Sequence, residues 1–342
     1  MPTILIIKLS SLGDIIHTFP ALTDAGKALS DVKFDWVVEE GFSEVVRWHP
    51  LVNRVIPISL RRWRKSLGKS FLSGEFTRFL QQLRAQSYNC VIDAQGLLKS
   101  ALVTCLARGP RCGYAAQATR EPLAAWFYQQ RYVTPPLQEA HAIVRVRSLF
   151  AKALGYEVPA ELPDAGIIIK PAPAIAPYVL LLHGTTWATK FWPVEYWGQL
   201  AQLITAAGIA VKVPFSNDKE LMVAKTIQQK APLVEILPKL PLNEMAQVVS
   251  GARAIVAVDT GLGHLAAALK IPTISLYGPT DPKRTGTLAV DQQHMSAQLP
   301  CMPCLHNTCA YAPDAVPFPA CMAQLTPERV WERLQKMGFA AS

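Results

Sequence analysis

The chain has 342 residues, 50% of them hydrophobic and 17% charged, and a formal net charge of +9. That length exceeds one ordinary core and predicts two domains, while the composition excludes disordered and fibrous classes. No apolar run approaches the ~18 residues a spanning helix needs.

Thr3–Leu9 (TILIIKL) reads as a buried first strand, and Lys8 ends its apolar run too early for a secretory segment. A soluble cytoplasmic protein is therefore expected. Ser10-Ser11-Leu12-Gly13-Asp14 turns at once into a helical pattern through Ile15, Ile16, Phe19, Leu22 and Ala25. The turn is neither G-x-G-x-x-G nor a P-loop. Asp14 reads either as a first-turn acid complementing the helix dipole or as a carboxylate open to a cleft. Phe34–Val38 and Val55–Ile58 read as strands, and Glu40–Trp48 as a helix. The basic cluster Arg61-Arg62-Trp63-Arg64-Lys65 follows, suited to nucleic acid, an anionic membrane surface or a phosphorylated acceptor, or else a solvated loop face. Glu75–Gln86 predicts a helix, Tyr88–Asp93 a strand and Leu97–Leu106 a helix. Gly113–Tyr128, which holds Arg120-Glu121, reads as irregular, and His141–Leu154 as an amphipathic helix.

Lys170–Pro177 (KPAPAIAP) is a stiff Pro/Ala linker. A second alternating series follows: strand Tyr178–His183, helix Pro193–Ala207, strand Ile209–Pro214, helix Asp218–Gln229, strand Leu233–Leu237 and helix Asn243–Ser250. Ile255–Val258 is the next strand, ending at Asp259-Thr260-Gly261 before a helix through Leu265 and Leu269. Pro272–Leu276 is another strand. By itself D-T-G reads first as a capped helix start. Thr326–Met337 is a closing helix, with Thr326 as cap and Pro327 in its first turn. Alternation throughout predicts an α/β protein of two doubly wound parallel sheets facing across a cleft. The expected domains are 1–169, a linker 170–177, 178–325, and a terminal helix 326–342 packing back toward the first domain.

Open α/β sheets bind ligands at the carboxyl ends of their strands. Three segments in the second half fall there: His183-Gly184-Thr185-Thr186 with Lys190, Ser216 to Glu220, and Asp259 to His264. Hydroxyls, exposed N–H groups and one lysine suit a diphosphate, and a carboxylate such as Glu220 suits ribose hydroxyls. Cys301, Cys304, Cys309 and Cys321, with His306 among them, form C-x2-C-x4-C-x11-C. Thiolates so spaced reach one tetrahedral metal ion, but the pattern fits no standard finger and equally describes reduced thiols; no metal is expected. Cys90, Cys105 and Cys112 read as buried small hydrophobes.

The motifs at Lys8–Pro20 (KLSSLGDIIHTFP), His183–Pro193 (HGTTWATKFWP), Val258–Leu265 (VDTGLGHL) and Tyr277–Pro282 (YGPTDP) resemble those of the lipopolysaccharide heptosyltransferases, family 9 glycosyltransferases of GT-B fold. Phe34–Gly41, Arg61–Lys65 and Asp93–Ser100 are most similar to the branch that moves L-glycero-D-manno-heptose from ADP-heptose onto the first Kdo of Kdo2-lipid A. The Cys-rich end looks more like the branch that adds the second heptose, which stays open as the alternative acceptor. The resemblance implies Asp14 as general base, and Ser10, Ser11, Gly13, Arg61, Arg62, Arg64, Lys65 and Arg120 as acceptor contacts. It implies Thr185, Thr186 and Lys190 at the diphosphate, Glu220 at the ribose, and Asp259, Thr260, Gly261 and His264 in the donor loop. ADP-heptose is a co-substrate, with no cofactor expected. The partner is an anionic lipid A–Kdo acceptor at the inner leaflet of the inner membrane of a Gram-negative bacterium, and nucleic acid is not expected. The resemblance implies inverting, metal-independent transfer, and a single carboxylate with no D-x-D motif agrees with it. A non-catalytic nucleotide or nucleic-acid binder is the reading from a different class. An oxidoreductase is disfavoured without G-x-G-x-x-G in the first turn.

Overall fold

The structure, a computed structural model, describes residues 2–64, 74–173 and 176–339. The chain divides into two compact units, one ending at Ile168 and the other beginning at Ile169.

The first unit holds β1 (Thr3–Ile7), β2 (Lys33–Glu39), β3 (Val52–Ile58), β4 (Cys90–Asp93), β5 (Arg111–Tyr114) and β6 (Gln130–Tyr132). They pair in parallel in the order β3-β2-β1-β4-β5-β6. Ile4 to Ile7 are buried because helices cover both faces of this sheet. Each such side chain removed from water contributes about 1.5–3 kcal/mol. The helices are α1 (Leu12–Ile16), α2 (Phe19–Ala28), α3 (Ser43–Val46), α4 (Leu60–Trp63), α5 (Glu75–Leu83), α6 (Leu98–Leu106) and α7 (Ala142–Leu154).

The second unit repeats the arrangement with β7 (Tyr178–Leu182), β8 (Ala210–Val213), β9 (Glu235–Ile236), β10 (Ala254–Val258), β11 (Thr273–Tyr277) and β12 (Gln292–Ser296). Their order is β12-β11-β10-β7-β8-β9, again all parallel. Its helices are α8 (Val194–Ala206), α9 (Asp218–Lys230), α10 (Leu242–Gly251), α11 (Gly261–Ala268), α12 (Pro282–Thr285), α13 (Ala320–Ala323) and α14 (Pro327–Leu334). Val330 and Leu334 of α14 are buried in this unit's core with Trp192, Trp197 and Leu200. Both sheets thus have the doubly wound order in which strand progression reverses between the first and fourth strands, where ligands bind.

Several expectations are corrected. The single helix read from Ile15 to Ala25 is two, α1 and α2, because Pro20 in the first turn of α2 has no N–H to continue a ladder. The helix read over 40–48 is a 3-10 turn, Glu40–Phe42, followed by the short α3. The stretch read as irregular from Gly113 contains part of β5, and it leads into β6; strands of four and three residues are too short to show a period. β12 (QQHMS) escaped notice because an edge strand needs no apolar run. Thr326 flanks α14 without a side-chain capping bond.

Candidate active site

In the first unit the chain leaves β1 through Lys8, Leu9, Ser10 and Ser11. Its neighbour across the reversal point, β4, leaves through Ala94 and Gln95. The two exits are laced together: Lys8 Nζ donates to Ala94 O at 2.9 Å, and Gln95 Oε1 accepts from the Leu9 and Ser10 N–H groups at 3.1 and 3.4 Å. Asp93 fixes the Gln95 exit by accepting from the Gln95 and Gly96 N–H groups, and Tyr128 donates to its other oxygen at 2.7 Å.

Asp14 stands on α1 above this frame, with Gly13 buried beside it. Its Oδ2 accepts from the Ser11 N–H at 2.9 Å and the Ser11 hydroxyl at 3.2 Å. Its Oδ1 lies 3.8 Å from Lys8 Nζ and 3.8 Å from the Arg120 guanidinium, with 22% of the side chain exposed. Burial alone would raise its pKa, but Lys8, Arg120 and the Ser11 bonds outweigh it and hold the carboxyl below its ordinary value. At neutral pH Asp14 is an oriented carboxylate with one oxygen open to a hydroxyl. Lys8 is buried at its side, its own pKa lowered chiefly by desolvation.

The basic cluster is only partly available. Arg62 is clamped between Glu40 at 3.1 Å and Glu75 at 2.7 Å. Trp63 is buried, stacked edge-on to Phe76 and Phe79 with its indole N–H on Glu75. The aromatic a nucleic-acid platform would have used is therefore in the core. Arg61 and Arg64 are exposed, and Lys65 lies outside the described residues.

In the second unit the corresponding reversal lies between β7 and β10. Asp259, at the end of β10, is 9% exposed and surrounded: Lys190 Nζ at 2.7 Å and the Thr280 hydroxyl at 2.8 Å on Oδ2, and His264 Nε2 at 3.7 Å from Oδ1. Burial pushes its pKa up, but His264 and Lys190 more than reverse this and hold it far below the carboxylate range. The Thr185 hydroxyl donates to Asp259 O at 3.2 Å, tying the β7 exit to the β10 exit. Lys190, at the end of the 3-10 turn Ala188–Lys190, also lies 4.4 Å from the Trp187 ring centroid. Thr260 flanks α11 and its carbonyl accepts from the Gly263 and His264 N–H groups, while the N–H groups of Gly261 and Leu262 at the helix start have no carbonyl a turn earlier in the helix. Thr186 is exposed next to Thr185. Glu220 accepts from Ser216 N–H at 2.7 Å and its hydroxyl at 2.8 Å. A Cβ on Gly184 would meet the Glu220 carboxyl carbon at 2.9 Å, so glycine there lets the β7 exit pack against that acid. Thr185, Lys190, Asp259, His264 and Thr280 are thus one connected group, with Glu220 against the same exit.

The cysteine-rich stretch leans on this group. Leu305 N–H donates to Pro279 O at 2.9 Å, and the Thr189 hydroxyl to His306 O at 2.6 Å. Cys301, Cys304, Cys309, Cys321 and His306 line a cavity of about 280 Å³ with Thr189 and Pro279. Among the described residues no group of three or more His, Cys, Asp or Glu is arranged to hold a metal ion. Cys90 and Cys112 are buried with their sulfurs 2.8 Å apart, and Cys105 is half-buried.

Lys8, Gln95 and Thr280 were not singled out from sequence. Lys8 looked like the end of an apolar run, and the other two are single polar residues just past a strand. Their position after β1, β4 and β11 was the available signal.

Comparison with known proteins gives a consistent picture. The profile of glycosyltransferase family 9 (heptosyltransferase) matches residues 76–314. The chain is 47% identical to lipopolysaccharide heptosyltransferase 1 of Pseudomonas aeruginosa over 98% of both chains. It is similar in structure to the E. coli heptosyltransferase WaaC with ADP, at TM-score 0.86 and 41% identity over 98% of this chain and 99% of that one. The same enzyme with ADP-2-deoxy-2-fluoro heptose gives TM-score 0.83 and 40% identity over the same shares.

Proposed function

Because the chain belongs to glycosyltransferase family 9, the heptosyltransferases, we propose that it transfers L-glycero-D-manno-heptose from ADP-heptose to the first Kdo of Kdo2-lipid A, in the inner core of lipopolysaccharide. The likeness to heptosyltransferase 1 over 98% of both chains carries this choice of acceptor. Several features of the two reversal points support the chemistry.

Asp14 is the base. Its open oxygen takes the proton of the acceptor hydroxyl as that oxygen bonds to the anomeric carbon, while the carbon–oxygen bond to ADP breaks and its electron pair leaves with the diphosphate. General-base help of this kind is typically worth 10²–10⁴-fold. One displacement inverts the anomeric centre, so no second carboxylate is called on. Lys190, the hydroxyls of Thr185 and Thr186 and the N–H groups at the start of α11 hold the diphosphate and meet its growing charge. We read this fixed positive field as replacing a metal ion. Glu220 is placed for the ribose. Asp259 keeps Lys190 and His264 in position. On the acceptor side, Arg61, Arg64 and Arg120 meet the carboxylates and phosphates of an anionic glycolipid, with Ser10 and Ser11 lining the sugar.

A lipid-linked acceptor places the working enzyme at the cytoplasmic face of the inner membrane. Among the described residues no helix is long and apolar enough to cross a membrane, so we read the association as peripheral. The test is mass spectrometry of products from purified protein, ADP-heptose and either Kdo2-lipid A or its monoheptosylated form. One heptose added to Kdo2-lipid A is expected. Addition only to the heptosylated acceptor overturns the proposal.

A further inference from the structure

The first unit also leaves apolar surface in solvent where two of its elements meet. Leu102 on α6 is 55% exposed; Leu123 and Trp126, on the 3-10 turn Pro122–Phe127, are 50% and 73% exposed. Trp126 is the most exposed large aromatic side chain among the described residues. These two elements are pressed together by a buried cluster of Ala101, Ala124, Ala125 and Tyr128. Each of the three exposed side chains is next in sequence to an alanine of that buried seam. The other end of the seam carries two cations around one acid. Leu98 N–H donates to Glu121 Oε2 at 2.6 Å, which brings together Lys99 and Arg120, each one residue from that bond. Arg120 in turn lies 3.8 Å from Asp14.

We propose that this seam is the face by which the protein lies on an anionic lipid bilayer. Trp126, Leu102 and Leu123 enter the headgroup boundary, and Lys99 and Arg120 face its anionic groups. An indole with an apolar body and a polar N–H is suited to that boundary, and flanking cations add attraction to anionic lipid. The inference rests on the reading of a lipid-linked acceptor and adds to it which surface touches the lipid. Continuity favours it: the cation at the end of the seam is also beside the base, so a headgroup sugar rising from the bilayer would reach Asp14.

The test is co-sedimentation of the full chain with vesicles of phosphatidylglycerol and phosphatidylethanolamine, against vesicles of phosphatidylcholine alone. Wild-type protein is expected on the anionic vesicles, and the triple variant Leu102→Ser, Leu123→Ser, Trp126→Ser is expected to partition ~10-fold or more weakly. Turnover of a water-soluble, deacylated Kdo acceptor should be the same in both, which shows that the variant is folded. Brominated lipid should quench wild-type tryptophan fluorescence more than that of Trp126→Phe. Equal partitioning of variant and wild type, or equal binding to phosphatidylcholine, overturns the proposal. A change in oligomeric state by light scattering without a change in partitioning overturns it in favour of a chain–chain contact. Failure of wild-type protein to turn over the soluble acceptor would count against the heptosyl transfer itself, while the vesicle measurement still decides the surface.

Discussion

The two units share one strand order, and each sets an aspartate at its reversal point, yet the two aspartates are in opposite circumstances. Asp259 has Lys190 and Thr280 at 2.7 and 2.8 Å on one oxygen and His264 near the other. Asp14 gives one oxygen to Ser11 and leaves the other with two cations at 3.8 Å. A carboxylate held by an ammonium at 2.7 Å and only 9% exposed suits a scaffold; one bonded to a serine and 22% exposed is better placed to accept a proton. Topology supplied a reversal point twice, and the neighbouring side chains set the two aspartates in different surroundings.

The contrast is broken most directly at Asp14. Asp14→Ala should lower kcat by ~10²-fold or more while leaving ADP affinity near wild type, measured by steady-state kinetics and calorimetry. Wild-type turnover would remove Asp14 from the mechanism. Asp259→Asn should do the reverse of that pattern: ADP affinity falls by ~10-fold or more, and stability falls by about 3 kcal/mol as a largely buried charge pair is broken, read by denaturant unfolding. Equal stability losses in Asp14→Asn and Asp259→Asn would erase the distinction between base and scaffold.

Reversing Arg61 and Arg64 to Glu should raise the acceptor KM by about 5–10-fold, with donor KM little changed and the effect shrinking at high salt. Arg62 belongs in a separate variant, because it is clamped by Glu40 and Glu75 and its loss disturbs the packing of Trp63. The subtlest effect concerns pH. Lys8 and Arg120 favour ionised Asp14, so its folded pKa lies below the ordinary carboxylate value. The stability this contributes is complete above that ordinary value and is lost as pH falls through the depressed pKa. Lys8→Met removes one of those cations, so the acidic limb of the pH–kcat/KM profile should move to higher pH. An unmoved limb would show that Lys8 acts on structure alone.

Much of this was legible along the chain because it is local. The apolar runs of β1, β7, β10 and β11 are buried on both faces of a parallel sheet and so announce themselves. The motifs around Asp14, Lys190 and Asp259 each lie within a dozen residues of a strand end. The edge strands β6 and β12 were not legible, since little burial constrains their composition. Nor was the division of the arginine cluster, because Glu40 and Glu75, which claim Arg62, lie on either side of it in sequence at no helical or strand spacing.

The sequence by itself determined two alternating α/β units, the family they belong to, and which strand ends carry polar residues, because strand and helix periodicity and strand-to-helix turns are written in short stretches of chain. Only the tertiary structure decided how each carboxylate is employed. Lys8 to Ala94, Thr280 to Asp259 and Arg120 to Asp14 join residues separated by 86, 21 and 106 positions, and the charge state and availability of an acid depend on what surrounds it in space.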